Sequence, residues 1–157
     1  MRLHTSSAIV LAFVAGLAAS PLMQHAFREA RAESAPPAPA LTPMMIDLTA
    51  LNYGNLPATP NPEMHAKPLV VTEHATIALQ AGNVAKHLHN HSDEIQYIVE
   101  GSGSMWLGGE RHEFKPGTLI IIPKGTAHAG TLVTSGPVKA IAIKIPPQAK
   151  DDQVFLD

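Results

Sequence analysis

Residues 86–94 read KHLHNHSDE, and this stretch decides how the rest of the chain is read. Three of nine histidines stand here at alternate positions, His87, His89 and His91, followed by Asp93 and Glu94. Side chains two apart in a strand share a face, so any two of these imidazoles can converge on one ion. A solvated, histidine-rich strand end is the plain alternative. Glu94 begins the run EIQYIVEG, in which Glu94, Gln96 and Ile98 lie on one face and Ile95, Tyr97 and Val99 on the other. A carboxylate beside neutral imidazoles makes a mixed nitrogen and oxygen site suited to Mn, Fe, Ni, Zn or Cu. The chain has no cysteine, which removes disulfides, thiolate ligands and lipidation at the N-terminus.

Outward from this stretch, short β-branched runs continue from Leu69 to Ile145, among them LVVTEHATIAL, TLIIIP and VKAIAIKI. Turn signals separate them: QAGN, EGSG, GGE, KPG, PKG and TSGP. Strands this short and regular, with no helical stretch between them, indicate an all-β sandwich or barrel. MWLGGERHEF reads as a tight hairpin with Gly108-Gly109 at its turn. Within GTLIIIPKGTAH, Gly117 to His128, a glycine opens an apolar strand, Pro123-Lys124-Gly125 turns, and His128 starts the next strand. Taken alone, His128 could equally be a buried histidine bonded to backbone.

These elements resemble the two motifs of the cupin superfamily. The second family motif runs glycine, five residues, Pro-X-Gly, two residues, histidine, three residues, asparagine. Gly117, Pro123, Gly125 and His128 fit it, with Leu132 where the family has asparagine. The first is matched by Gly82, His87, His89, Glu94 and Gly101, with four residues instead of five between Gly82 and His87. The resemblance prefers His87 and His89, because His89 and His91 would leave only Ser92 and Asp93 before Glu94. It implies a double-stranded β-helix, or jelly-roll barrel, with a Pro-rich N-terminal arm. It also implies a divalent transition metal held by His87, His89, Glu94 and His128, with two coordination positions open. Ligand histidines must be neutral, so binding is expected to weaken below about pH 6.5. Gln96, Ile98, Trp106 and His91 are the expected lining of a substrate pocket. No catalytic group beyond the ligands is evident.

Residues 1–32 read as a signal peptide. Arg2 precedes the apolar run SAIVLAFVAGLAA (Ser7–Ala19), and Ala30-Arg31-Ala32 offers cleavage after Ala32. The run is shorter than the ~20 residues of a spanning helix. Its distance from Ala32 leaves a retained anchor as the alternative. A periplasmic or secreted location is expected, with no membrane contact beyond this signal. Residues 33–68 form a Pro-rich linker and arm, 69–146 the barrel, and 147–157 a tail expected to fray or to pair with a partner chain. The net charge of −2, without a basic block, argues against nucleic acid. The outward apolar face of Ile95, Tyr97 and Val99 suggests a homodimer.

The family's range leaves three functions open. One is an exported metal-dependent oxidoreductase, dioxygenase-like, acting on a small molecule, with an isomerase or decarboxylase using the same ligands. The second is a non-catalytic metal- or small-ligand-binding module. The third is a structural dimer in which the motif merely holds strands together.

Overall fold

The computed structural model describes residues 40–157. The expected signal peptide and its cleavage point lie outside the described residues. Eight strands form one hydrogen-bonded, curled sheet: β1 (Met64–Val71), β2 (Thr76–Gly82), β3 (His87–His89), β4 (Asp93–Leu107), β5 (Glu110–Phe114), β6 (Leu119–Ile122), β7 (His128–Ile145) and β8 (Gln153–Phe155). The described residues contain no helix. The architecture is the all-β double-stranded β-helix.

Two long strands organise it. β7 pairs antiparallel with β2, β3 and β4, while β4 also pairs with β5 and β6. Where they pair between Asp93–Ile98 and Ala140–Ile145, both bury alternate residues. Val138, Ala140 and Ala142 are buried on the inner face of β7, as are Glu94 and Ile98 on β4. The barrel interior is filled by Ile98, Met105, Phe114, Ile120, Ile122, Val138 and Ala140. A second apolar cluster lies where the arm folds down. Leu56 packs with Leu79 and Ala81 of β2, joined by Leu48, Leu51, Tyr53, Leu69 and Ile141. Burying a leucine such as Leu79, wholly inaccessible to water, is worth about 2 kcal/mol.

Several local expectations change. EGSG and TSGP are not turns between strands, because β4 and β7 run through them with shifts of register. At Gly101, φ is 82°, and an added Cβ would sit 2.7 Å from the Val138 Cα. The glycine is there because the two strands approach too closely for a side chain. β1 begins inside the stretch read as arm, at Met64, and carries Pro68 next to a register shift on an edge strand, where a missing N–H is tolerated. The hairpin is as read: Leu107 pairs with Glu110 across Gly108-Gly109, and Gly108 takes the positive φ, 67°. The tail pairs with its own chain, since β8 adds to β3 through Leu88 opposite Val154. That pairing places the tail against the histidine strand.

Candidate metal centre

The site assembles where β3, the start of β4 and the start of β7 meet. β3 is three residues long and antiparallel to β7 with His87 opposite His128. His87 and His89 are both buried, on one face, with Leu88 on the other. The strand stops at His89, so His91 falls beyond it and is exposed. Glu94 enters from β4, only 2% exposed, and His128 from β7, inaccessible to water. One ligating atom from each of His87, His89, Glu94 and His128 lies within 4.8 Å of the others. Ala129, directly after His128, has φ 70°, a conformation that costs a non-glycine residue about 1–2 kcal/mol and fixes the local kink.

The surroundings set the histidine tautomers. His87 Nδ1 lies 2.8 Å from the Ala85 carbonyl, and His128 Nδ1 lies 2.9 Å from the Thr126 carbonyl. A carbonyl only accepts, so each Nδ1 is the donor and each Nε2 keeps a lone pair directed inward. His89 Nε2 accepts from Lys144 Nζ at 3.0 Å, which places its proton on Nδ1, 3.1 Å from Asp152 Oδ2. That last contact is close but poorly aligned for a hydrogen bond, so its attraction is mainly electrostatic. Glu94 Oε2 is 3.1 Å from His89 Nε2 and 3.3 Å from His128 Nε2. Neither Glu94 Oε2 nor His128 Nε2 has a hydrogen-bond partner, although both are buried. Acceptors facing one another without a shared proton carry the desolvation cost of unmade bonds. A cation between them removes it, so the donor set fits a metal ion. The cluster could hold one.

Charge in the site follows from burial and contact. Burial, reinforced by the neighbouring His128, pushes His87 down to about 4. Proton competition at His87 therefore begins well below pH 6.5, lower than an ordinary imidazole implies. Burial alone would raise Glu94, but contacts with His128 and His89, the charge on Lys144 and the Gln96 amide (2.9 Å from Oε1) outweigh it. The carboxyl is held well below its usual range. Burial lowers Lys144, opposed by Glu94 and Asp152.

A cavity of about 690 Å³ opens onto His87 and Glu94, and Gln96, Lys144, Gln148 and Phe155 help to line it. Gln96 is thus where the strand alternation put it. Ile98 lies deeper, in the apolar core, and borders only a small inner void of about 40 Å³. Trp106 and His91 are not among the cavity's lining residues. Trp106 is flanked by Lys86, 4.5 Å from its ring centroid, and Arg111, 5.0 Å away, because β4 has turned it to the outer face. His91 uses its backbone N–H to cap Asp152.

Two participants escaped the sequence reading. Lys144 was within reach of it: in VKAIAIKI the alternation that turns Ala140 and Ala142 inward also turns Lys144 inward. Asp152 carried no local signal, since only the β3–β8 pairing brings it to His89.

Residues 74–144 match the cupin domain family. Over 71 residues it is 38% identical to an uncharacterized protein of Methanocaldococcus jannaschii, covering 45% of this chain and 57% of that one. Over 63 residues it is 29% identical to quercetin 2,3-dioxygenase of Bacillus subtilis, covering 40% of this chain and 18% of the dioxygenase. The chain thus spans less than two thirds of the length of either relative. An uncharacterized conserved protein with a double-stranded beta-helix domain from Klebsiella pneumoniae superposes with a TM-score of 0.56 at 15% identity, over 74% of this chain and 99% of that one. At that identity the likeness concerns fold alone.

Proposed function

We propose that this chain is an exported metal-dependent oxidoreductase of the dioxygenase type, acting on a small molecule. A divalent transition metal, one of Fe, Mn, Ni, Zn or Cu, is held by His87, His89, Glu94 and His128. The observation that carries this reading is the convergence of Nε2 lone pairs and the unpartnered Glu94 Oε2 beside a cavity large enough for a small ligand. The similarity to part of a quercetin dioxygenase supports oxidation over other chemistries. When bound, the metal supplies Lewis acidity and a place where substrate and oxygen meet. The protein's own groups do the rest. Ala85 and Thr126 carbonyls orient two imidazoles, and Gln96 steadies Glu94.

Metal content of the purified protein, followed by oxygen uptake with catechols, flavonols and thiols, tests the reading. One equivalent of metal per chain and substrate-dependent uptake are expected. Metal without uptake on any candidate would leave a binding module, and no metal, with unchanged melting on adding each ion, would refute both.

We also propose a homodimer as the working form. Tyr97, Leu119 and Ile121 are exposed together on the outer face of β4 and β6, where Tyr97 pairs with Leu119 and Ile95 with Ile121. Elsewhere that sheet is covered by the chain's own arm at Leu79 and Ala81. Upstream of this cover, Leu41, Met44, Met45 and Ile46 stay exposed, an apolar segment suited to the same face of a second copy.

A further inference from the structure

The cavity contains one group the metal reading does not use: the ammonium of Lys144. We infer that Lys144 makes this cavity a site for a small monocarboxylate whose remaining oxygens are hydroxyl or carbonyl groups. The inference rests on the metal reading above and adds to it the chemical class of the ligand.

Lys144 Nζ lies 3.0 Å from His89 Nε2 and 3.7 Å from Glu94 Oε2, and its side chain is only 12% exposed. The ammonium thus donates to the very lone pair that a metal would take. Once an ion occupies His89 Nε2, Lys144 loses that acceptor. Its remaining partners are the Gln148 side-chain oxygen, a neighbour on the cavity wall, and the more distant Glu94 Oε2, whose charge the ion would share. The stem of a lysine is flexible and its ammonium compact, so the charge stays at the cavity.

Charge balance then points one way. Against a divalent ion and one ammonium the buried site sets two carboxylates, Glu94 and Asp152, leaving one net positive charge. Asp152 stands behind His89, on its Nδ1 side, and cannot face the cavity as well. A buried, uncompensated charge is costly, and one anionic group from the ligand removes the cost. The other polar groups near the cavity are neutral amides, Gln80, Gln96, Gln148 and Gln153 among them, with Glu63 exposed as a further lining carboxylate. Such walls suit hydroxyl or carbonyl oxygens and offer nothing to a second anionic group. Phosphate esters and dicarboxylates are therefore poorer fits than a monocarboxylate.

Pyruvate and hydroxyacetone, which differ in carboxylate against hydroxymethyl, test the inference on Co(II)-loaded protein. Metal content is measured first, and binding is read by calorimetry and by the visible spectrum of the cobalt. Pyruvate is expected to bind at least tenfold more tightly than hydroxyacetone. Lys144→Met should lose at least tenfold of the pyruvate affinity while keeping one metal per chain and its affinity for hydroxyacetone. Lys144→Arg should retain the preference for pyruvate. Equal binding of the two probes by the wild-type protein overturns the inference and leaves the metal reading standing. So does Lys144→Met binding pyruvate as the wild type does, or losing its metal. Failure of the wild-type protein to take up metal is the separate outcome that overturns the underlying reading and this inference with it.

Discussion

Replacing Asp152 by asparagine should weaken metal binding while barely changing the fold. The carboxylate is inaccessible to water and has two duties. Oδ1 accepts backbone N–H groups from His91 and Ser92, and Oδ2 faces His89 Nδ1 at 3.1 Å. The second duty bears on the metal, since a negative charge behind an imidazole holds its proton on Nδ1 and makes Nε2 a better donor. Asparagine is nearly isosteric and keeps one oxygen. That oxygen can serve the backbone donors, in which case an NH2 group confronts the His89 N–H. Alternatively it can serve His89 and leave the backbone donors facing NH2. Either way the charge is gone. Partners of this kind are worth about 10–100-fold in metal affinity, which is about 1.4–2.7 kcal/mol. Competition against a chelator of known affinity, with Zn(II), measures the loss directly. Calorimetry of the metal-free proteins supplies the control. Asp152→Ala, which leaves both backbone donors unmet, should lower stability by about 1–3 kcal/mol, and Asp152→Asn by less. Zinc affinity of Asp152→Asn within twofold of the wild type would refute the reasoning.

Acid should destabilise the metal-free protein before carboxylates titrate. His87 is near 4 when folded and near 6.5 when unfolded, so between those values the unfolded chain binds more protons. The penalty is absent above about pH 6.5, grows as pH falls, and is complete below about pH 4, where it reaches about 3 kcal/mol. Glu94, held low in the fold, acts in the same direction further down: its contribution is present above the usual carboxylate range and lost as pH falls through its folded value. Urea midpoints at pH 7 and 5 should differ in the wild type and converge in His87→Gln; a flat wild-type profile would count against the burial argument. Lys139, 2% exposed, donates to the Leu48 and Leu51 carbonyls at 3.0 and 2.9 Å and pairs with Glu100. Lys139→Met should cost about 2 kcal/mol and speed hydrogen exchange in residues 48–56, whereas unchanged exchange would mean the arm is held by packing alone. Ile121→Asp should convert a sedimenting dimer to monomer without lowering metal content; a wild-type protein that sediments as a monomer would remove the dimer.

What was legible in the sequence, and what was not, divides by how far the causative contact lies along the chain. The strands were legible because one buried face imposes a two-residue period, visible in EIQYIVEG and VKAIAIKI alike. Glycine was read too simply. In EGSG it marks close passage of two strands, and only the Gly101 environment, with Val138 at 2.7 Å from an added Cβ, separates that cause from a turn. The four clustered side chains could be named because the resemblance to the cupin motifs singles them out, HLH and Glu94 in the first motif and the Pro-X-Gly turn leading to His128 in the second. His91 could be set aside by spacing, and the physical reason is that β3 ends at His89. Lys144 and Asp152 were illegible to different degrees. The first needed only the strand alternation to be applied once more. The second depends on Leu88 meeting Val154 across more than sixty residues, a pairing with no sequence pattern of its own. It follows that motifs point to the four clustered residues, whereas the groups around them need strand alternation, as for Lys144, or a long-range pairing, as for Asp152. Lys144 on one side of His89 and Asp152 on the other set the imidazole's charge environment, and both come from the C-terminal part of the chain. A change in the tail that leaves every motif residue in place can therefore still alter what the centre binds.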